Sequence, residues 1–420
     1  MTSTVVEPAP RGSGPDVARM RDVVRHLAGV DFAGRRVGST GGRAAALWLA
    51  DQLRAVGADV RLDEFTVDGV VRELYATPRL VIVAGDGPAR SLVFRREFCE
   101  HLASADLPQP RTGRLALMGD NDVSDAWVLA DGFPTVRAAG AGLAGVAGVL
   151  VARGTDAAGW MPKMIAGPAA IGVAVLAVRT DLHERMHAVV GRATVTASVP
   201  LRTVDVTGVN VVATFRPLRP ARLNVLLTAH FDGVGDDPEL RFPAACDNAS
   251  GVAVVMEAAR VLHGMLPPHV GLAAALLDGE EAGAYGSAHL APSIPDGAVV
   301  INLDGAAQLA DAAHVEAGGP ARTLLSALDH AGRQLGVPLQ ARAMPSDNRR
   351  FAAAGLAAVG IGMGMPGYQT PAETPDQVSP ETLDLAARLV IATVANLATA
   401  DTGCGDWVEE LPSSPIGDER

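Results

Sequence analysis

The sequence predicts an α/β layer structure interrupted by a long strand-rich insertion, and three observations carry that prediction. Short, almost wholly apolar runs at 225–229, 272–277 and 299–303 have the composition of strands buried on both faces. Between them Val252, Val255, Met256 and Ala259 recur at helical spacing, so strands and helices alternate as they do when helices cover a sheet. From about 68 to 200 the texture changes to short Val, Leu and Ala runs cut by Gly, Pro and Asp. The runs at 115–118, 146–151 and 173–178 suit short strands better than long helices.

The elements follow in order. Residues 16–28 place Val17, Met20, Val24 and Leu27 on one helical face, and Ala45, Leu49, Leu53 and Val56 repeat the pattern until Gly57 stops it. A strand is expected over 60–67. Near the far end Ser379 and Pro380 form the cap and first turn of a helix burying Leu383, Val390, Val394 and Leu397. The Gly- and Met-rich segment 360–367 reads either as a narrow site wall with an adaptable apolar contact or as packed core. These shifts divide the chain into a leading tail (1–15), an α/β unit assembled from 16–68 and 206–400, an insert (69–205) and a trailing tail (401–420).

Composition bounds the function. The chain has 420 residues, 48% hydrophobic and 20% charged, which is ordinary globular material long enough for a sizeable core. With 47 acidic against 35 basic residues the net charge is -12, which argues against a phosphate-binding surface and hence against nucleic acid as a partner. Lys163 is the sole lysine. Residues 1–15 lack the basic start and apolar stretch of a secretory signal, and Gly, Pro or charge breaks every candidate apolar run of membrane-spanning length. A cytoplasmic protein with no membrane partner is therefore expected, with room for a homo-oligomer. Cys99, Cys246 and Cys404 are widely spaced and odd in number, so a metal here would be held by His and carboxylates rather than by thiolates.

Four segments end in ionisable residues where buried strands should emerge. In Thr228-Ala229-His230-Phe231-Asp232, a strand would point His230 and Asp232 to the same face, where a carboxylate can orient a metal-bound imidazole through its other nitrogen. A lone His after an apolar run is more often a structural residue, and the spacing to Asp232 together with the later segments outweighs that reading. Asp247, in Ala245-Cys246-Asp247-Asn248-Ala249-Ser250-Gly251, opens the helix that begins near Val252 and by itself would be read as a helix cap. Asp278-Gly279-Glu280-Glu281 follows the strand at 272–277. There one glutamate can bind a metal while the other takes a proton from water. Asp304 ends the apolar strand Ile301-Asn302-Leu303.

In this order the segments resemble the M28 family of zinc-dependent aminopeptidases. The family pattern reads His-x-Asp, Asp-Asn-x-Ser-Gly, Glu-Glu, an Asp at a strand end, and a late His in a segment similar to His-Thr-Pro-x-Asp-Thr. The resemblance covers roughly 20–68 and 206–400 and takes in Gly34-Arg35, similar to the family's F-x-G-R stretch. It implies a zinc-aminopeptidase-like three-layer α/β/α sandwich with a mixed, largely parallel central sheet. The insert resembles a mainly-β protease-associated domain, with Gly113-Arg114-Leu115 and Gly145-Val146-Ala147-Gly148-Val149-Leu150 matching its strand patterns.

Carried over by position, the resemblance makes His230 and Asp304 ligands of one metal, Asp247 the carboxylate bridging two, and Glu281 a ligand of the other. Glu280 becomes the general base toward water at the metal, and Asp232 the residue that orients His230. Zinc, as one or two ions, is the implied cofactor. The implied activity is hydrolysis of an amide or peptide bond in a small peptide or aminoacyl substrate, with a specialised biosynthetic small molecule as one form of it.

The chain departs from the pattern at its last ligand. In Tyr368-Gln369-Thr370-Pro371-Ala372-Glu373, Gln369 stands where the imidazole is expected and Glu373 where an Asp is usual, while Ser346-Asp347-Asn348 aligns with a stretch that often reads Ser-Asp-His. An amide oxygen is a neutral, poorer zinc ligand better matched to harder cations. The second position is thus weakened, and three outcomes stay open: two metals with the second loosely held or replaced by another divalent cation, one metal, or no hydrolysis. The alternatives to a hydrolase are a single-metal non-hydrolytic enzyme of cyclase or acyl-transfer type, by analogy with glutaminyl cyclases, and a binding protein that has kept the fold and lost turnover.

Overall fold

The computed structural model describes residues 14–219 and 222–402. The tails expected at 1–15 and 401–420 lie outside the described residues apart from 14–15 and 401–402, and Cys404 is outside them as well. Among the described residues Cys99 and Cys246 are free and buried.

The α/β unit opens with α1 (Val17–Leu27), which Asp16 caps by accepting the N–H groups of Ala18 and Arg19. Next comes α2 (Thr40–Ala55), capped by Ser39 and followed at Gly57 by a left-handed residue of φ 93°. Its strands are β1 (Asp59–Leu74), β2 (Leu201–Arg216), β3 (Asn224–His230), β4 (Gly271–Leu277), β5 (Val299–Leu303), β6 (Ala313–Gly318), β7 (Leu339–Ala341) and β8 (Ala357–Gly362). The helices α3 (Ser250–Met265), α4 (Tyr285–Leu290), α5 (Arg322–Leu335), α6 (Asn348–Ala353) and α7 (Pro380–Thr402) connect or follow them. The strands form one eight-stranded sheet in the order β1-β2-β4-β3-β5-β8-β6-β7. Its centre, from β4 through β3 and β5 to β8, is parallel, and antiparallel pairs flank it.

Alternation along the strands builds the three layers. Val225, Leu227 and Ala229 join Ile301, Leu303, Val359 and Ile361 in a core covered by α1, α2, α3, α5 and α7. Leu226, Ala273, Ala275, Val300 and Ala358 face the opposite way, toward Leu290 and Phe351 of α4 and α6. Helix α7 contains the one described stretch long and apolar enough to cross a membrane, Pro380–Thr399, and it is mostly buried here as a core helix. Segment 360–367 starts in β8, a packed central strand, and Gly360 lets Asn348 approach so closely that a Cβ would lie 2.8 Å from its Cγ.

Residues between β1 and β2 form a second eight-stranded sheet. The expected boundaries at 68/69 and 205/206 fall inside a continuous ribbon: β1 and β2 pair from Asp59↔Thr214 to Leu74↔Leu201, with a bulge between Val67 and Val71. The strand expected over 60–67 therefore runs on to Leu74, because its second half continues to pair with β2 beyond the bulge. The insert is also less purely β than expected. Strands Leu107–Leu117, Trp127–Ala130, Gly148–Arg153 and Val175–Arg179 are parallel neighbours; the short helix Phe133–Ala139 lies between the second and third, and Thr180–His187 follows the last.

A buried charged cluster joins the two units. Lys163, from the insert, donates from Nζ to the carbonyl of Gly235 at 2.8 Å and pairs with Asp237 at 2.9 Å. Arg95 also meets Asp237, at 2.8 Å, and binds Glu100 at 2.7 Å. Burial pulls the Lys163 pKa down, and Asp237 opposes that shift. The main-chain N–H of Lys163 donates to the carbonyl of Gln369 at 2.9 Å, so the insert reaches the edge of the segment that carries the expected last ligand.

Candidate metal centre

The carboxyl ends of the parallel strands converge on one site, as expected for an α/β sheet. His230 ends β3, the Asp278-Gly279-Glu280-Glu281 turn follows β4, and Asp304 follows β5. Each loop is pinned. Asp278 Oδ2 accepts the Val209 N–H at 2.9 Å while Asn210 Oδ1 accepts the Asp278 N–H at 3.1 Å, which fixes the Glu280-Glu281 turn onto β2. Asn248 Oδ1 accepts the N–H groups of both Gly251 and Gly305 at 3.0 Å, and its amide donates to Leu303 at 2.8 Å. Ser250 Oγ donates to Cys246 at 2.7 Å and accepts from Ala306 at 2.8 Å. The Asp-Asn-x-Ser-Gly segment thus ties the Asp247 loop to the Asp304 loop. Gly251 has no room for a side chain, since a Cβ would lie 2.2 Å from Asn248 Oδ1.

His230, Asp247 and Asp304 come together with one candidate ligand atom each, all within 4.8 Å of one another. His230 Nε2 lies 3.1 Å from Asp247 Oδ1 and 3.3 Å from Asp304 Oδ1. Two ligands on zinc at bonds of about 2.0–2.1 Å stand ~3.3 Å apart in a tetrahedron, so these separations fit a shared cation. Burial lowers the pKa of His230, but hydrogen bonds to Asp232, Asp247 and Asp304 outweigh it and raise the imidazole well above its usual value.

Asp232 acts on two neighbours. The Nδ1 of His230 is nearest the main-chain carbonyl of Asp232, at 3.2 Å, and lies 3.5 Å from its carboxylate. The same carboxylate accepts the N–H of Glu280 at 3.1 Å and of Glu281 at 3.2 Å, and so holds the paired-glutamate turn as well as the imidazole. Burial drives the Glu280 pKa well up; His230 opposes the shift, and Asp304, Asp347 and Asp247 add to it. Gln369 does reach Glu281, but as a donor: its Nε2 stands 2.6 Å from Glu281 Oε2. The other oxygen of Glu281 is buried without a hydrogen-bond partner.

Several site residues carry no role in the sequence reading. Glu373 accepts the N–H groups of Cys246 at 3.0 Å, Asp247 at 2.5 Å and Gln369 at 2.9 Å, which ties two candidate ligands to one carboxylate. Buried Arg35 donates to the carbonyls of Phe231 and Leu27 at 2.6 Å, Ala244 at 2.8 Å and Pro243 at 3.0 Å, and burial pulls its pKa down to about 10. Asp347 is buried beside the cluster with no hydrogen-bond partner in good geometry, although the nearby Ser287 hydroxyl partly offsets its burial. Asn348 lies instead against Gly360 and Glu316, outside the cluster. Tyr368, 46% exposed, has its pKa raised by burial and by Asp247, Glu281, Glu280 and Asp304, so its hydroxyl stays a donor beside the carboxylates. Asp347, Tyr368 and Glu373 lie inside segments that the resemblance aligns, and Arg35 inside the F-x-G-R-like stretch, so their positions were signalled although their contacts were not.

Fold and site together give an α/β protein in which an imidazole and two carboxylates that could hold a cation lie beside a pair of glutamates. Residues 210–394, within the α/β unit, match the model of peptidase family M28. Its fold is that of an aminopeptidase from Aneurinibacillus sp. strain AM-1, with a TM-score of 0.67 at 22% identity over 90% of this chain and 93% of that one. BSAP, a zinc aminopeptidase from Bacillus subtilis, is similar with a TM-score of 0.68 at 20% identity over 91% and 95% of the two chains. A peptidase M28 precursor from Shewanella amazonensis SB2B gives 0.63 at 19% identity over 94% and 96%. No curated protein matches the sequence. The match to that family model supports metal-dependent peptide hydrolysis.

Proposed function

We propose that this chain is an aminopeptidase-type hydrolase that cleaves a peptide or aminoacyl amide bond with the help of a zinc-class divalent cation. The observation that carries the reading is the spacing of His230, Asp247 and Asp304, at 3.1 and 3.3 Å, beside Glu280. Those three residues would hold the cation; when bound it polarises the scissile carbonyl and makes water more acidic.

The chain's own groups supply the rest. Glu280, whose burial makes it a stronger base than a solvated glutamate, takes a proton from the attacking water and returns it to the leaving amine. Asp232 holds both His230 and the Glu280 main chain in place for that transfer. Tyr368 offers its hydroxyl to the oxygen that gains negative charge. The unpartnered oxygen of Glu281 is a buried acceptor for the substrate's free ammonium group, which favours cleavage next to an N-terminus. A small aminoacyl compound suits the same chemistry as a short peptide.

The test is release of the chromophore from a panel of aminoacyl 4-nitroanilides by zinc-loaded protein. Release that disappears in Glu280→Gln while metal content stays constant supports the proposal. Failure to cleave any member of the panel or any dipeptide, with the metal bound, rules it out.

A further inference from the structure

We infer that this centre holds a single divalent cation, at His230, Asp247 and Asp304, and that a hydrogen bond between Gln369 and Glu281 fills the place where the family resemblance implies a second. The inference rests on reading the site as a metal centre and goes beyond it by fixing which half is functional.

The two halves differ in spacing. Around His230 the donor atoms stand 3.1 and 3.3 Å apart, the edge of a zinc tetrahedron. Between Gln369 Nε2 and Glu281 Oε2 the separation is 2.6 Å, a charge-assisted hydrogen bond and too close for two ligands spanning one ion. The orientation of the amide follows from its partner. Turning Gln369 over would bring its carbonyl oxygen against a Glu281 oxygen at that distance, an approach closed to the ionised carboxylate, which is the form that would hold a metal.

Nor is the amide free to withdraw. Gln369 has a left-handed backbone of φ 53°. Its N–H donates to Glu373 Oε2 at 2.9 Å and its carbonyl accepts the Lys163 N–H at 2.9 Å. The main chain is thus gripped from the catalytic unit on one side and from the insert on the other. To admit a second ion the side chain would have to rotate, present a neutral oxygen in place of an imidazole, and give up a buried charged hydrogen bond. Glu281 keeps one oxygen tied to the amide and one free, an arrangement suited to an ammonium ion in place of a metal.

The experiment is metal content by mass spectrometry after dialysis against zinc, with zinc anomalous scattering from crystals to count the sites. It is applied to the whole chain and to His230→Ala, Glu281→Gln and Gln369→His, with circular dichroism to show that each is folded. About one equivalent in the unaltered protein, lost in His230→Ala, kept in Glu281→Gln and raised to about two in Gln369→His supports the inference. About two equivalents in the unaltered protein, or loss of metal in Glu281→Gln, overturns it, and a content that stays at about one in Gln369→His overturns the role given to Gln369. About one equivalent in a protein that hydrolyses no amide would defeat the proposed activity and leave this stoichiometry standing, whereas no metal in folded protein would defeat both.

Discussion

Glu373 receives the main-chain N–H of Asp247 at 2.5 Å, so the residue that the family resemblance makes the central ligand is placed by a carboxylate 126 positions further along the chain. The same side chain also accepts from Cys246 and Gln369. In Glu373→Gln an amide NH2 would face N–H donors, and the loop carrying Asp247 should loosen. Zinc affinity, measured by competition with a chelator, is expected to fall ~10–100-fold while the protein stays folded. Unchanged affinity would show that Asp247 is placed without Glu373.

Glu280→Gln keeps the shape of the side chain and removes the base. A fall of ~10²–10⁴-fold in kcat with little change in KM or metal content is expected from steady-state kinetics on an aminoacyl anilide. A fall confined to KM would reassign Glu280 to substrate binding.

Asp347 supplies a pH signature in the metal-free protein. Burial raises its pKa from 3.8 to about 7; His230 and the Ser287 hydroxyl oppose the rise, and Asp232 and Asp304 add to it. Between those values the native state holds a proton that the unfolded chain releases, so this group's contribution to stability is complete below the lower value and is lost as pH rises through the upper one. Urea midpoints recorded from pH 4 to pH 8 in the presence of chelator should therefore fall more steeply with pH for the unaltered protein than for Asp347→Asn. Parallel curves would mean that Asp347 folds as a charged carboxylate.

The free oxygen of Glu281 predicts a demand for an unblocked amine. Acetylating the N-terminus of a cleavable substrate is expected to lower kcat/KM by ~10–100-fold, the cost of leaving one charge-assisted hydrogen bond unmade. Glu281→Gln should shrink the difference between free and acetylated substrates. Equal turnover of both by the unaltered protein would take substrate-amine binding away from Glu281.

At the junction of the two units, Lys163→Met removes a buried cation from Asp237 and from the carbonyls of Gly235 and Asp236, while Arg95 continues to pair with Asp237. A loss of ~2–3 kcal/mol in urea denaturation is expected, below the cost of breaking an isolated buried pair. Combining Lys163→Met with Asp237→Asn should cost less than the sum of the single changes, and strict additivity would show that the two side chains are not coupled.

Much of the fold was legible because burial leaves a direct trace in sequence. The apolar runs ending at Ala229, Leu277 and Leu303 are strands of the parallel centre, and the helical spacing from Val252 to Ala259 became α3. The candidate ligands were legible as charges set at the ends of those runs. What pairing at a distance decides was not. The ribbon shared by both units depends on β1 finding β2 across the insert, and the grip of Glu373 on Asp247 joins residues that no local pattern connects. Gln369 illustrates both sides. Its position was readable by alignment, but that its amide donates to Glu281 follows only from geometry.

Lys163 has a practical consequence outside catalysis. Because the only lysine is sealed in the junction, every other basic side chain in the sequence is an arginine or histidine, and no lysine amine faces solvent. Acylating dyes, cross-linkers and acetylating enzymes that seek lysine will find none on the surface of the intact fold. Appearance of label at Lys163 would therefore time the parting of the two sheets, giving a built-in reporter of opening that requires no engineered residue.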